Sequence, residues 1–474
     1  LLDRIHERVL IVDGAMGTQI QGLGLTDSDF GGPAFRMLTD ILTFSHPDAV
    51  IDIHLSYLRA GAHAIETNTF GASPLRLSEY DLRELDVSRF APVPGNLDLR
   101  CLTCDEFAYH LSRRAAEIAC QAIELYRRES GFDRRDLFVL GVAGPSNRVL
   151  SSTDADLRRS SFDEIVANFY CQTRGLLDGG ADAILFETQQ DILEAKAGIL
   201  GARKAIRESG KRTPVLCQVS VDAFSRMPIF NTDIHAALVA VQGLGIGAFG
   251  INCSIGPDLM AKTVETLSRV CPLPISVVPN AGLPVSEGGR TVFKFPPDRM
   301  AALLKEYVVE FGAAIVGGCC GTTPEHIAAL AEAIGDTVPA RRTPDRRVYV
   351  SGPQQAVLVD SAKGLFLIGE RLNVRGSKKV RDAVENDSGI DHGALEEVVH
   401  DQVHELGLRV IDVCMDSNVV DTTETLKEVV HRQTTDFSGA MCLDSFSVEA
   451  LIEAIKVYPG LPILNSISLE EVEP

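Results

Sequence analysis

No uninterrupted apolar run in this chain approaches the roughly 18 residues that a membrane-spanning helix needs, although 45% of its 474 residues are hydrophobic. A basic excess is also missing. The chain carries 45 Lys and Arg against 65 Asp and Glu, a formal net charge of −20. Generic binders of a nucleic-acid backbone need a basic face, so nucleic acid is excluded as a general partner. Neither is a membrane partner expected. The opening residues LLDRIHERVL hold no apolar stretch followed by a small-residue cleavage site, so no signal peptide is read. Eleven cysteines, an odd number spread over a long chain, do not make a dense disulfide framework. The composition is globular rather than disordered. These absences leave the expectation of a soluble, acidic, cytoplasmic protein with room for a large core.

At about 150 residues per domain the length suggests about three domains, but barrels run to about 250 residues as one unit. Short apolar runs alternate with amphipathic stretches as far as Ile334. The runs are Leu10–Val12, Ala64–Ile65, Leu137–Leu140, Ala183–Phe186, Val215–Val219, Ala248–Ile251, Ile275–Val278 and Ala313–Val316. Helical patterns such as Asp48–Ala60, Phe162–Leu177 and Pro324–Ile334 lie between or after them. Eight strands apolar on both faces, each followed by a helix, predict an α/β fold of the closed parallel (β/α)8, or TIM-barrel, type. An open doubly wound sheet would carry a GxGxxG fingerprint after its first strand, and Asp13-Gly14-Ala15-Met16-Gly17-Thr18 does not match it.

The expected division is a barrel over 1–335, a linker over 336–360 and a second unit over 361–474. The linker holds Pro339, Pro344, Gly352 and Pro353. Its pairs Arg341-Arg342 and Arg346-Arg347 read as solvated charges. The pattern then restarts. Leu365–Ile368 leads to Gly369-Glu370-Arg371-Leu372-Asn373, and further runs at Arg409–Val413, Ala440–Leu443 and Pro462–Leu464 each end on polar residues. Helices are expected at about Gly393–Leu406, Glu424–Gln433 and Val448–Lys456. Four strands make an incomplete second (β/α) barrel, the front of one cut short, with open sheet edges.

In a barrel of this kind the loops after the strands share one face, where active sites sit. Cys253 follows strand six, and Cys319 and Cys320 follow strand eight. They are too far apart for a zinc-finger pattern, so only the barrel could bring three sulfurs together. Three thiolates leave the fourth tetrahedral position of a Zn2+ ion open, as a catalytic site requires. A substrate thiol is the natural fourth ligand. The alternative is a vicinal pair buried in a glycine-rich turn.

The strand ends carry a family likeness. Asp13-Gly14-Ala15-Met16-Gly17-Thr18, Glu66-Thr67-Asn68-Thr69-Phe70-Gly71-Ala72, Gly144-Pro145-Ser146-Asn147-Arg148 and Phe186-Glu187-Thr188 resemble those of the cobalamin-dependent methionine synthases. So do Gly250-Ile251-Asn252-Cys253, Pro279-Asn280-Ala281-Gly282-Leu283-Pro284, Gly317-Gly318-Cys319-Cys320-Gly321-Thr322-Thr323 and Gly369-Glu370-Arg371-Leu372-Asn373-Val374. The resemblance implies a homocysteine-binding zinc barrel followed by a methyltetrahydrofolate-binding barrel. It implies Cys253, Cys319 and Cys320 as zinc ligands, with Asp13 and Glu187 holding the homocysteine amino group. Asn252 then tunes the site from beside a ligand, and Glu66 and Asn68 organise the mouth. Backbone amides around Gly14 to Thr18 are candidates for the substrate carboxylate. In the second unit it implies pterin contacts at Glu370, Asn373, Asp412, Asp444 and Asn465.

Cys414 stands where the family usually has Asn, which puts one pterin hydrogen bond in doubt. No corrinoid-binding Asp-x-His-x-x-Gly pattern occurs, so methylcobalamin is expected on a separate corrinoid-binding domain or protein, with 5-methyltetrahydrofolate as the methyl source. Phe224-Ser225-Arg226-Met227 replaces a small turn after strand five. Cys101 and Cys104 form a lone CxxC of open role, whereas Cys120, Cys171 and Cys217 read as packed thiols. His400 and His404 read as a solvated helix face, because Asp401 stands where a metalloprotease motif needs Glu. His235 and His326 read as helix residues without catalytic duty. The leading reading is homocysteine S-methylation. The rivals are a cobalamin-independent homocysteine methyltransferase using a small donor, and a non-catalytic folate- or thiol-binding remnant.

Overall fold

The computed structural model describes residues 1–91, 97–131, 136–288, 290–360, 362 and 364–466. Eight parallel strands form the first sheet: β1 (Leu10–Ile11), β2 (Ala64–Glu66), β3 (Phe138–Ala143), β4 (Ala183–Gln189), β5 (Val215–Val219), β6 (Ala248–Asn252), β7 (Ile275–Val278) and β8 (Ala313–Val316). Their order is β1-β8-β7-β6-β5-β4-β3-β2, and a parallel bridge from Val12 to Ala64 joins the two end strands into a ring. Each of the eight apolar runs expected before Ile334 overlaps one of these strands. The strands are buried on both faces because the ring packs side chains inward while helices cover it outside.

The helices obey local rules. Thr103 and Ser161 start Cys104–Ser130 and Phe162–Gly179 with capping boxes closed by Glu106 and Glu164. Gly131 and Gly180 end them in the left-handed conformation that a side chain resists. Gly250 answers a packing demand instead: a Cβ there would run into the Ser276 carbonyl on β7. Gly250→Ala is therefore expected to destabilise the barrel by about 1–3 kcal/mol. Calorimetry would read this as a midpoint several degrees lower, and an unchanged midpoint would contradict the close approach.

The second sheet holds four parallel strands in chain order: β9 (Gly369–Asn373), β10 (Val410–Cys414), β11 (Ala440–Asp444) and β12 (Ile463–Asn465). The run Leu365–Ile368 is not a strand. Pairing begins only at Gly369, opposite Ile411, and Leu365 is 91% exposed. The helix expected over Gly393–Leu406 runs from His392 to His400 and then widens into a π turn, Asp401–Glu405. Ile467 and Ser468, expected at the last strand end, lie outside the described residues.

The stretch expected as a linker contains the hairpin Tyr349–Ser351/Ala356–Leu358, which packs on both units. Thr232 Oγ1 donates to Pro353 O at 2.7 Å, and Tyr458 Oη donates to Ser351 O at 2.9 Å. Arg342 is not a solvated linker charge. Half-buried, it donates to the carbonyls of Cys271 and Leu273 at 2.6 Å, just past the helix Pro257–Val270. Lys196, buried in the helix Ile192–Ser209, donates to Tyr458 O and Gly460 O, both at 2.8 Å. Burial pushes its ammonium down to about 7. Among the described residues, no helix is long and apolar enough to cross a membrane.

Candidate functional site

At the carboxyl ends of the barrel strands, the Sγ atoms of Cys253, Cys319 and Cys320 lie within 4.8 Å of one another, the only such metal-competent group among the described residues. Cys253 and Cys320 are 3.8 Å apart. That is close to the edge of a tetrahedron built on zinc–sulfur bonds of about 2.3 Å. The thiols are half-buried, so they face the mouth rather than the core. In this thiol trio, hydrogen bonds from Cys319 and Cys320 pull the Cys253 thiol down to about 3, and the same contacts push Cys319 and Cys320 up.

Backbone geometry aims the sulfurs. Cys253 and Ser254 hold φ of 59° and 61°, a strained region for non-glycine residues that bends the chain sharply off β6. Cys253 N donates to Val278 O at 3.1 Å, and Cys319 N to Pro279 O at 2.8 Å. Gly321, at φ 79°, turns the loop after Cys320, and a Cβ there would strike Phe293.

Three carboxylates ring the same mouth. Asp13 is buried, with one oxygen accepting from Glu66 N at 3.1 Å and the other without a partner. Glu66 Oε1 is likewise buried and unpartnered. Glu187 accepts from Asn252 Nδ2 at 3.0 Å, while Asn252 also grips Thr188 through Oγ1 and N. Burial and mutual repulsion raise Asp13 and Glu66 well above the usual carboxylate range. Glu187 rises to about 8 through burial and the Cys253 charge. The arrangement suits a cation that would relieve three crowded carboxyls.

Asn280, which sequence reasoning quoted only within a motif, belongs to this group. It is buried, its side chain helps hold the Cys253 thiol down, and its Oδ1 has no partner. A lone Asn in a loop carries no signal of that kind. Two expectations are narrowed. Asn68 Nδ2 donates to Thr39 O at 3.0 Å, which ties two loops. Ala15 N is already engaged by Thr322 Oγ1 at 3.1 Å, and Gly14 is needed for close packing, since its Cβ would lie 2.7 Å from Tyr57.

In the second sheet, register gathers the expected residues. Asn373, Cys414, Asp444 and Asn465 are successive partners in one row across β9–β12. Asp412 and Cys442 pair two residues earlier, so they share that face. Asp412 Oδ2 is buried without a partner, and burial lifts this carboxyl to about 6, with Asp444 and Glu370 adding repulsion. Asn373 Oδ1 accepts from Arg375 N and Gly376 N, both at 2.9 Å, and so shapes the turn after β9. Cys414 keeps its thiol against Asp444.

The other singled-out residues lie elsewhere. Cys104 opens the helix Cys104–Ser130, but burial raises its thiol, the reverse of what a redox cysteine needs. Cys217 is buried, whereas Cys120 and Cys171 are half-buried on helix faces rather than fully packed. His326 closes the cap of Pro324–Ile334 through Thr323 and lies 2.9 Å from Phe295 O. His235 stacks edgewise on Tyr349. Phe224 stands 75% exposed in the loop after β5.

The family described as pterin binding enzyme matches residues 369–474. Methionine synthase of Mycobacterium tuberculosis is 34% identical over 473 residues, 99% of this chain, and that of Mycobacterium leprae is 33% identical over 480. The chain spans 36% of the length of each of these curated relatives. Among solved structures, the metallated form of the homocysteine methyltransferase MmuM from Escherichia coli aligns with a TM-score of 0.51 and 23% identity, covering 68% of this chain and 96% of that one. At that identity the likeness speaks to the fold alone. The family described as homocysteine S-methyltransferase matches residues 10–334, the whole ring of eight strands and the helices around it. The chain belongs to the homocysteine S-methyltransferase family.

Proposed function

We propose that this chain is the homocysteine-activating and part of the folate-binding portion of a methionine synthase, with Cys253, Cys319 and Cys320 holding a zinc ion. The observation that carries the reading is the convergence of three sulfurs beside buried, unpartnered oxygens of Asp13, Glu66 and Asn280. The donor set fits the ion: Cys253, Cys319 and Cys320 would hold it through three soft thiolates at tetrahedral spacing, and the unpartnered Asn280 Oδ1 would add a polar oxygen to the site. Bound zinc acts as a Lewis acid that lowers the pKa of a coordinated thiol, so that a thiolate persists near neutral pH.

The chain's own residues do the rest. Asp13 and Glu187 receive the homocysteine ammonium, and Glu66 deepens the negative field around it. Asn252 fixes the Glu187 carboxylate, so the amino acid is held in one orientation. The half-buried mouth leaves the substrate sulfur open to an incoming methyl group. In the transfer, a sulfur lone pair forms the S–CH3 bond as the bond from methyl to its carrier breaks in line, and the electron pair leaves with the carrier. Methylcobalamin on a corrinoid-binding domain or protein is the proposed carrier, recharged from 5-methyltetrahydrofolate. The divisions 1–335, 336–360 and 361–474 then correspond to homocysteine barrel, linker and folate-barrel front. Glu370, Asp412, Asp444 and Asn465, with Asn373 shaping the edge, are the proposed pterin-reading residues. The pterin-binding match over 369–474 favours folate over a small methyl donor. A cytoplasmic setting suits eleven cysteines that make no dense disulfide framework.

The test is the zinc–sulfur coordination number by X-ray absorption, with and without homocysteine. Three sulfurs rising to four is the expected result. A number that stays at three when substrate is bound would overturn thiol activation at this site. Methionine formation with free methylcobalamin separates an active module from a remnant.

A further inference from the structure

The loop after β1 carries Asp13, and the loop after β8 carries Cys319 and Cys320. Homocysteine bound as proposed above reaches both, with its ammonium at one loop and its thiol at the other. The separation of the loops therefore has to be held. The backbone joins them through Gly318 N, which donates to Asp13 O at 3.1 Å. Side chains add further ties. Thr322 Oγ1 accepts from Ala15 N at 3.1 Å and donates to Cys319 O at 2.7 Å. Gly321 N donates to Thr18 Oγ1 at 3.1 Å.

A third element closes the junction. Tyr57, fully buried on the helix Pro47–Arg59, sets its hydroxyl between the loops, 3.2 Å from Ala15 O and 3.3 Å from Thr322 O. One phenolic proton is thus shared by two carbonyls, one from each loop. Gly14 permits the approach, because a Cβ there would lie 2.9 Å from Tyr57 Oη and 2.8 Å from Thr322 Oγ1. Burial and the nearby Asp13 charge push the phenol far up, so the hydroxyl remains a donor at neutral pH. A phenylalanine would fill the same space, and what the hydroxyl adds is the tie. We infer that Tyr57 is a positioning residue for methyl transfer: its hydroxyl fixes the span between the ammonium subsite at Asp13 and the sulfur subsite at Cys319 and Cys320. The inference rests on the homocysteine reading and deepens it. A small displacement of either subsite misaligns a substrate held at both ends, whereas a substrate held only by its sulfur does not feel the span.

Tyr57→Phe in the full chain, loaded with Co2+, tests it. Homocysteine and propanethiol, which has the thiol without the amino acid head, are titrated separately while the sulfur-to-cobalt charge-transfer band is followed. The variant is expected to take up cobalt and bind propanethiol like the native chain, while its affinity for homocysteine falls about 3- to 10-fold, the worth of one net hydrogen bond. Thr322→Val, which cuts the second tie, is expected to show the same selective loss, and Thr322→Ser, which keeps the hydroxyl, to restore native affinity. A Tyr57→Phe chain that keeps the native preference for homocysteine would overturn the inference. So would lost cobalt or equal losses for both thiols, the marks of a merely structural tyrosine. A native chain whose band does not respond to homocysteine would instead overturn the homocysteine reading, and the inference with it.

Discussion

Replacing Cys319 by serine is expected to empty the metal site and reduce methyl transfer to homocysteine on the order of 10³-fold, while the barrel stays folded. The magnitude follows from the several kcal/mol that a Lewis acid contributes to nucleophile activation. A serine hydroxyl is a hard, weakly acidic donor and does not replace a soft thiolate. The fold survives because the loop is held by its backbone. Cys319 N bonds Pro279 O at 2.8 Å, and Cys319 O accepts from Thr322 Oγ1 at 2.7 Å. Metal analysis, transfer rate and melting midpoint on one preparation check the three parts together. Full zinc content in the variant would remove Cys319 from the ligand set.

Glu187→Gln is the second large effect, and it separates positioning from activation. The neutral amide keeps the size of the side chain but would lose the proposed charge-assisted bond to the substrate ammonium, worth roughly 1.5–3 kcal/mol. The expected loss in kcat/KM is about 10- to 150-fold, mostly in KM, with zinc content unchanged. A pH signature accompanies it. Burial and the Cys253 charge raise Glu187 to about 8, so at lower pH the carboxyl carries a proton and accepts the ammonium poorly. In the native chain KM therefore falls as pH rises toward about 8, and in the variant this component disappears. A KM that matches the native protein at all pH values would sink the assignment.

Much of this was legible in the residues themselves. Each of the eight apolar runs became a strand because a strand covered on both faces has to be apolar throughout. Capping boxes at Thr103 and Ser161 mark helix starts that can be read letter by letter. The polar letters at strand ends, from Asp13 to Cys320, were visible as motifs. The second unit was harder. Leu365–Ile368 has strand composition, yet pairing begins at Gly369 because only there does a partner strand lie opposite. Arg342 read as a linker charge because nothing local tells it that two carbonyls wait past another helix.

What the sequence by itself determined is the alternation of strand and helix, the points where each stops, and the chemical letters placed at those stops. Such features depend on neighbours a few positions away, through propensity, capping and periodicity. Only the tertiary structure decided which letters meet. The bridge from Val12 to Ala64 closes the ring, and closure brings Cys253 to 3.8 Å from Cys320. It also buries Asp13, Glu66 and Glu187 together and leaves Asn280 Oδ1 without a partner, while packing in the second sheet does the same to Asp412 Oδ2. Burial, repulsion and missing partners are sums over groups distant in the chain, so no local pattern encodes them.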